Sequence, residues 1–324
     1  MKVNKRWRSL AALCLVSLLF LTSVFYVNSF QEPKPVKIVF IPKVEDPSND
    51  FWMSMISGAQ SAAKEYQAEL FVLAPENEND YFAQIEYIDN AIALQPDVIV
   101  LSPIQYSEMT EHVKTITQSG IRLILLDSKL DEEVAVSYVG TDNIAAGIRM
   151  GEMVRTSLTP DSKIAIMSHV KGASTAIERE AGIREGLGDQ ENNIVTVSYS
   201  DSDYDRACRL TKEMLIDNPD IDVIIGLNLY STVGVARAIK EMGLTGQIRV
   251  VGFDNDIEAI RYLEDSVIDM LLVQKPFHMG YLGIQSAVKA ARGGKIETVV
   301  YSDTVIITDD NIFTDENQKL LFPF

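Results

Sequence analysis

Cysteine and histidine are both scarce in this chain of 324 residues. Cys14 lies inside an apolar run and Cys208 is alone in the body of the chain, so no internal disulfide is possible beyond Val27. The three histidines are His112, His169 and His278. They lie too far apart in sequence to form a helical ligand pair, and a thiolate cage is excluded by the cysteine count. We therefore expect no metal site and no cofactor.

Positive charge is also in short supply. Lys and Arg number 29 against 46 Asp and Glu, which gives a formal charge of −17. Four of the basic residues stand at the start of the chain, at positions 2, 5, 6 and 8, and the remainder carries 25 − 46 = −21. Such a surface repels phosphate and excludes a general nucleic-acid binder. A hydrophobic fraction of 47% with 23% charged residues is typical of a folded globular protein.

The N-terminus predicts export. A basic region, 1–9, precedes the uncharged and mostly apolar segment 10–27, whose length lies between that of a secretory signal and that of a spanning helix. Cys14 is a poor lipidation site because Leu13 precedes it, and the match to a cleavage site near Val27 is weak. The segment is therefore either a cleaved signal or an uncleaved membrane anchor, with the body outside the cytoplasmic membrane. Residues 28–35, with Pro33 and Pro35, read as a linker.

The rest of the chain alternates short β-rich runs with amphipathic stretches. The predicted strands are Val36–Ile41, Glu69–Leu73, Val98–Leu101, Arg122–Leu126, Lys163–Met167, Ile194–Val197, Val223–Gly226, Arg249–Phe253 and Asp269–Val273. The predicted helices are Phe51–Tyr66, Tyr81–Ala93, Glu108–Ser119, Asn143–Leu158, Ser174–Leu187, Tyr204–Asn218, Ser231–Glu241 and Pro276–Arg292. This alternation predicts an α/β protein with parallel sheets covered on both faces. About ten strands divide better into two sheets than into one, with a break near Tyr138–Asp142.

Polar side chains follow several of these strands. Ligands of open parallel sheets bind outside the carboxyl ends of the strands, so we expect the site there. The candidates are Asn49, Phe51 and Trp52 after the first strand, Asp127 and Ser128 after the fourth, and Asn228, Asp254 and Gln274 after later ones. Arg179 at a helix start and Tyr204 join them. Each alone is more often a cap, a turn or a core residue than a ligand contact. As a set, planar groups that bind neighbouring hydroxyls together with aromatic faces suit a carbohydrate.

The body resembles the ribose-binding branch of the periplasmic sugar-binding proteins, the type I periplasmic binding proteins that share their core with the lac repressor family. The resemblance runs from about Val36 to Asn311 and rests on Asn49-Asp50-Phe51-Trp52, Asp127, Thr141-Asp142-Asn143-Ile144-Ala145-Ala146-Gly147, Arg179-Glu180-Ala181-Gly182, Asp203-Tyr204-Asp205-Arg206, Val251-Gly252-Phe253-Asp254 and Gln274-Lys275-Pro276. It implies two doubly wound lobes, 36–140 plus 276–303 and 142–273 plus 304–324, joined by a three-segment hinge. It also implies that nine of the ten candidates contact a sugar, and Ser128 is added because it directly follows Asp127.

One departure bears on which sugar is bound. Relatives that bind ribose usually have Arg directly after the acid of the fourth strand, where this chain has Ser128 and then Lys129. Leu229 likewise stands where an acid often follows Asn228. Without the guanidinium of that arginine, the site loses several hydrogen-bond donors, which alters the sugar hydroxyls that it can bind. The resemblance therefore predicts a pentose or hexose and not ribose in particular.

Three classes of function compete for this sequence. The preferred one is a binding protein that traps a small monosaccharide by lobe closure and delivers it to an ABC-type permease. If the anchor persists, the same protein could instead present its closed state to a sensor histidine kinase or chemoreceptor. A lac-type transcription factor is disfavoured because an apolar segment replaces the basic DNA-binding domain. A glycosidase with Asp127 and Asp254 as paired acids has no supporting motif, so we expect no enzyme activity.

Overall fold

The computed structural model of the protein describes Ser17 and residues 34–322. The chain divides into two units, residues 1–35 and residues 36–324. Of the first unit only Ser17, which is helical, and residues 34 and 35 are described, so the predicted signal or anchor segment lies otherwise outside the described residues. No helix within Ser17 and residues 34–322 has the length and apolarity needed to cross a bilayer.

The second unit contains two sheets of six strands, which give two lobes. The strands are β1 (Lys37–Ile41), β2 (Glu69–Val72), β3 (Val98–Leu101), β4 (Arg122–Leu126), β5 (Ser137–Gly140), β6 (Lys163–Ser168), β7 (Ile194–Tyr199), β8 (Ile221–Gly226), β9 (Arg249–Phe253), β10 (Met270–Val273), β11 (Val299–Tyr301) and β12 (Val305–Ile307). The first sheet has the order β11-β5-β4-β3-β1-β2 and is parallel throughout. The second has the order β12-β10-β9-β8-β6-β7, in which only β12 is antiparallel.

Ten α-helices cover these sheets in the described part of the second unit. They are α1 (Asp50–Glu65), α2 (Tyr81–Ala93), α3 (Thr110–Gln118), α4 (Asn143–Arg155), α5 (Ser174–Leu187), α6 (Tyr204–Asp217), α7 (Leu229–Glu241), α8 (Ile257–Glu264), α9 (Pro276–Ala291) and α10 (Asp315–Leu321), with a 3₁₀ helix at Gly188–Asn193. The predicted α/β fold with two doubly wound lobes is confirmed.

Alternate residues of each strand build the two cores of each lobe. In the first lobe, Ile38 and Phe40 of β1 face α1 and α9, whereas Val39 and Ile41 face α2 and α3. The second lobe is arranged in the same way, with α6, α7, α8 and α10 on one face and α4 and α5 on the other. The apolar runs of the sequence are therefore strands that are buried on both faces.

Helix α1 lies against α9 at very short range. A Cβ atom placed on Gly58 would lie 1.9 Å from the backbone oxygen of Phe277, and one on Gly280 would lie 2.0 Å from the backbone oxygen of Met55. Two glycines facing each other thus allow the two backbones to touch. This contact fixes the start of α1, and with it the residues that follow β1.

Candidate functional site

The first lobe presents a carboxylate at the end of β4. Asp127 follows Leu126 directly and has a backbone φ of +67°, a left-handed conformation that Asp adopts more readily than most residues. Its N–H donates to the carbonyl of Val139 over 2.8 Å, which holds this conformation. The Ser128 hydroxyl donates to the Asp127 carboxylate over 2.8 Å. The sharp turn therefore directs the Asp127 side chain away from the sheet, and the hydrogen bond from Ser128 holds its carboxylate in place.

Lys43 and Glu78 complete the charged side of the first lobe. The Lys43 ammonium lies 3.2 Å from the Asp127 carboxylate and 4.0 Å from that of Glu78. The indole Nε1 of Trp52 donates to Glu78 over 3.1 Å. Burial raises the pKa of Glu78 from 4.5 to about 7, although Lys43 and the bond from Trp52 oppose this rise. Glu78 therefore titrates near neutral pH.

The second lobe repeats the arrangement at the end of β9. Asp254 follows Phe253 with the same φ of +67°, and its N–H donates to the carbonyl of Leu272 over 2.9 Å. Arg179 lies 3.9 Å from the Asp254 carboxylate and above the ring of Phe253, with 4.4 Å from its guanidinium carbon to the ring centroid. Burial raises the pKa of Asp254, and Arg179 and Gln274 oppose the rise. Each lobe thus contributes one left-handed aspartate paired with one cation.

Arg179 is held in place by the second lobe itself. Its Nη1 donates to the carbonyl of Leu227 over 2.6 Å, and its Nε donates to the side chain of Asn143 over 2.8 Å. Two fixed bonds orient the planar guanidinium and leave its remaining donors for the cavity.

Gln274 connects Asp254 to the crossing between the lobes. Its Nε2 donates to Asp254 over 2.6 Å, and its Oε1 accepts from the hydroxyl of Thr141, also over 2.6 Å. Thr141 directly follows β5 of the first sheet, whereas Gln274 directly follows β10 of the second. One chain of hydrogen bonds therefore runs from the interlobe crossing to the cavity.

Three more residues close the wall on the side of the second lobe. The Asn228 side chain caps α7 by accepting from the N–H of Ser231 over 2.9 Å. His169 pairs through Nε2 with the hydroxyl of Thr175 over 2.9 Å, while its Nδ1 is buried without a hydrogen-bond partner. Burial holds the pKa of His169 well below its usual 6.5, so the ring is neutral. The ring therefore keeps one buried nitrogen that no described residue pairs with.

These side chains surround one polar cavity between the lobes. Its lining is Lys43, Asn49, Phe51, Trp52, Glu78, Asp127, His169, Thr175, Arg179, Asn228, Leu229, Asp254 and Gln274. The open space within it is about 20 Å³, which is room for little more than one water molecule. The charged members are buried: Glu78, the most exposed of them, has only 7% of its surface accessible.

The charges of the cavity nearly balance. Lys43 and Arg179 supply two positive charges, whereas Glu78, Asp127 and Asp254 supply three negative charges when all are ionised. With Glu78 protonated the sum is zero. Among the described residues, in this cavity or elsewhere, no group of three or more His, Cys, Asp or Glu could bind a metal ion.

The structure brings most of the predicted site residues together. Eight of the ten line the polar cavity: Asn49, Phe51, Trp52, Asp127, Arg179, Asn228, Asp254 and Gln274. Ser128 is fully buried behind Asp127 and is not part of the lining. Phe51 and Trp52 are both buried, with their rings edge to face and 5.2 Å between centroids.

Tyr204 lies elsewhere. Its ring packs against that of Tyr230, with 4.6 Å between the ring centroids. The guanidinium of Arg237, a residue of α7, lies 5.0 Å from the centroid of the Tyr204 ring. It lines a separate acidic cavity of about 200 Å³, together with Asp46, Glu76 and Asp201 among others. The first turn of α6 thus directs Tyr204 toward the outer rim of the interface between the lobes.

Five lining residues were not among the sequence candidates: Lys43, Glu78, His169, Thr175 and Leu229. Two of them follow strands closely: Lys43 comes two residues after β1, and His169 comes directly after β6. The strand-end argument used for Asp127 would have found both. Glu78 lies within the β2–α2 loop and Thr175 inside α5, so no local signal identifies them.

The lobes touch around the polar cavity. The Tyr230 hydroxyl donates to Asp46 over 2.8 Å, and the Lys129 ammonium lies 2.9 Å from Glu178. The N–H of Tyr106 donates to the carbonyl of Gly172 over 2.9 Å. Each of these bonds joins residues of the first sheet's lobe to residues of the second, so the lobes are closed.

Comparison with known proteins identifies the family. A profile described as the periplasmic binding protein domain matches residues 38–295, which is most of the chain. The chain therefore belongs to the periplasmic binding protein family, as the sequence motifs predicted.

Individual relatives cover nearly the whole body. The structure of a sugar transporter from Clostridium phytofermentans is 41% identical, with a TM-score of 0.81, and the match covers 85% of this chain and 100% of that one. A carbohydrate transporter solute-binding protein from Agrobacterium radiobacter, in complex with D-arabinose, is 26% identical with a TM-score of 0.84, covering 90% and 100%. A D-ribose/D-allose-binding protein of Pseudomonas aeruginosa is 26% identical over 298 residues, covering 89% of this chain and 93% of its own length.

Proposed function

We propose that this protein is an exported sugar-binding protein that encloses one monosaccharide between its lobes. The observation that carries the proposal is the repeated pair of left-handed aspartates, Asp127 and Asp254, which face one cavity from opposite lobes with Lys43 and Arg179 beside them. Residues strained in this way cluster at functional sites because the surrounding structure must hold them there.

The chemistry of the cavity suits a ring of hydroxyls. A hydroxyl both donates and accepts, so carboxylates can accept from it while the guanidinium of Arg179 and the ammonium of Lys43 donate to it. The aromatic faces of Phe51 and Trp52 supply apolar surface for the C–H groups of the ring. Because protonated Glu78 leaves the cavity without net charge, an uncharged ligand is favoured over an ionic one.

The relatives indicate the size of the ligand. Their descriptions name D-arabinose in one and D-ribose or D-allose in another, which are pentoses and a hexose. We propose a sugar of this size for the present protein. The hydrogen-bond donors near Asp127 differ from those of ribose-binding relatives. Ser128 stands where those relatives usually have an arginine, and the ammonium of Lys43 lies beside Asp127.

Binding requires the lobes to separate. The 20 Å³ of open space cannot admit a sugar, so entry needs rotation about the crossings between the lobes. We place those crossings near Thr141, at Gln274–Lys275 and at Asp303–Thr304, with lobe boundaries of 36–140 plus 276–303 and 142–273 plus 304–324. The bonds from Thr141 to Gln274 and from Ser302 to Gly140 tie the crossings together and support this placement.

The partner we propose is an ABC-type permease, because relatives are described as carbohydrate-transporter components. The protein would then act outside the cytoplasmic membrane. The alternative of a tethered sensor for a histidine kinase or chemoreceptor rests on the N-terminal sequence alone and finds no support among the relatives. A role in catalysis is likewise not part of the proposal, because the relatives are described as solute-binding and sugar-binding proteins.

Calorimetric titration with pentoses, hexoses and polyols tests the proposal. We expect one sugar to bind at one site, and Asp254→Asn to weaken it at least about 30-fold, which is about 2 kcal/mol, because a charged acceptor is lost. Asn keeps the size and tolerates positive φ, so the fold should remain. Asp217→Asn, an exposed change on α6, is the matched control. Binding by Asp254→Asn equal to that of the wild type would contradict the placement of the site, and binding of no sugar would contradict the function.

A further inference from the structure

A second and larger cavity, which we call the apolar chamber, adjoins the polar cavity. It has a volume of about 500 Å³, within the usual size of a small-molecule site, and apolar atoms form most of its wall. The first lobe contributes Met53 from α1 and Phe277 from α9, and the second contributes Ile257 and Ile260 from α8 and Leu320 from α10. Closing the lobes therefore assembles the apolar chamber.

Exposed apolar side chains gather at this place. Ile257 is 58% exposed, Phe277 39% and Phe322 43%, and all three line the apolar chamber. Large apolar side chains that stay in water on neighbouring elements indicate a surface built for contact, whereas isolated ones are ordinary. The two lobes thus bring together a patch that a bound molecule would cover.

Two lysines, Lys275 and Lys319, line the apolar chamber together with His278. Its acids are the exposed Asp50 and the buried Asp254, and the Asp254 carboxylate already accepts from Gln274 and lies 3.9 Å from Arg179. Within the described residues, neither Lys275 nor Lys319 has a hydrogen bond or an ion pair to its ammonium group, in contrast to Lys43, Lys129 and Lys240. Two ammonium groups without partners beside an apolar wall favour a ligand with one negative charge and an apolar body.

We propose that the apolar chamber binds a small amphiphilic anion, namely an aromatic or short aliphatic carboxylate. Its apolar body would lie against Ile257, Ile260 and Phe277, and its carboxylate at Lys275 and Lys319. The chamber is distinct from the sugar site, but Phe51, Asp254 and Gln274 line both cavities. Because both lobes form its wall, such an anion binds the closed arrangement preferentially and favours sugar retention.

Fluorescence titration with 8-anilinonaphthalene-1-sulfonate, an apolar aromatic anion, tests the site without any sugar. We expect one saturable site on the folded chain, with octanoate displacing the probe at a concentration at least 10-fold lower than 1-octanol. Absence of saturable binding would overturn the proposal, and equal displacement by octanol would overturn its anionic part. Sugar calorimetry is a separate measurement, so this site and the proposed function can each fail alone.

Variants at exposed positions keep the test independent of folding. Ile257→Ser should weaken probe binding at least 10-fold, whereas Ile216→Ser, a change at a 72% exposed isoleucine on α6 outside the chamber, should leave it unchanged. Lys319→Gln should weaken octanoate at least 3-fold and leave octanol as it was. Equal losses from Ile257→Ser and Ile216→Ser, or equal losses of octanoate and octanol in Lys319→Gln, would refute the assignment. Far-UV circular dichroism verifies that each variant is folded.

Discussion

Replacing Glu78 by Gln should stabilise the protein at alkaline pH and leave its stability at acidic pH nearly unchanged. Glu78 lies buried between Lys43 and Trp52, and burial raises its pKa from 4.5 to about 7. A carboxyl group whose pKa rises on folding destabilises the folded chain once the pH exceeds its unfolded value. Gln is neutral at every pH and still accepts the hydrogen bond from Trp52.

The sign and size of the effect follow from proton binding. Below pH 4.5 the group is protonated in both the folded and unfolded chain and makes no difference. Between pH 4.5 and 7 the unfolded chain releases the proton while the folded chain keeps it, so the free energy of unfolding falls as the pH rises. Above pH 7 the full cost is reached, and the difference between 4.5 and about 7 corresponds to about 3 kcal/mol.

Chemical unfolding followed by circular dichroism at pH 5 and pH 8 measures this difference. The gain of Glu78→Gln over the wild type should be about 2.5 kcal/mol larger at pH 8 than at pH 5, because at pH 5 the unfolded chain has already released part of its protons. Glu86→Gln, on the exposed face of α2, should change either value by less than about 0.5 kcal/mol. An equal gain at both pH values would show that Glu78 does not hold its proton on folding.

Two further changes test other contacts. Tyr230→Phe removes the bond to Asp46 that joins the lobes, and should weaken sugar binding about 3- to 10-fold by calorimetry, whereas Tyr262→Phe, which breaks a bond within the second lobe, should not. Gly58→Ala places a methyl group 1.9 Å from the backbone oxygen of Phe277 and should lower the free energy of unfolding by about 2 kcal/mol or more; unchanged thermal unfolding would show that α1 and α9 separate without cost.

Strong apolar runs made most of the fold predictable. All nine predicted strands are present, with bounds within two residues, because strands buried on both faces must be apolar throughout. Three strands were missed. The predicted break near Tyr138–Asp142 overlaps Ser137–Gly140, which is a strand that pairs with β4. Strands β11 and β12 have only three residues each, too few to show the apolar pattern of a strand. Their positions depend on pairing with β5 and β10.

The candidate site was predictable for residues that directly follow a strand, because the end of the strand fixes their position. Asp127, Asp254 and Gln274 follow strands directly, so their convergence follows from the topology of parallel sheets. Glu78 reaches the cavity through a loop, and its contact with Trp52 depends on how that loop packs, which no local pattern specifies. Tyr204 does not line the polar cavity, because its ring packs against Tyr230 at the start of α6.

The matching backbone geometry of Asp127 and Asp254 limits how this site can evolve. A φ of +67° is tolerated by Asp, Asn and Gly but is costly for branched or bulky side chains. Natural variation at these two positions is therefore confined to a narrow choice of side chains, and a new ligand preference must arise mainly at freer neighbours such as Lys43 and Glu78. Descendants of this protein would keep the two acids as fixed anchors and diversify around them.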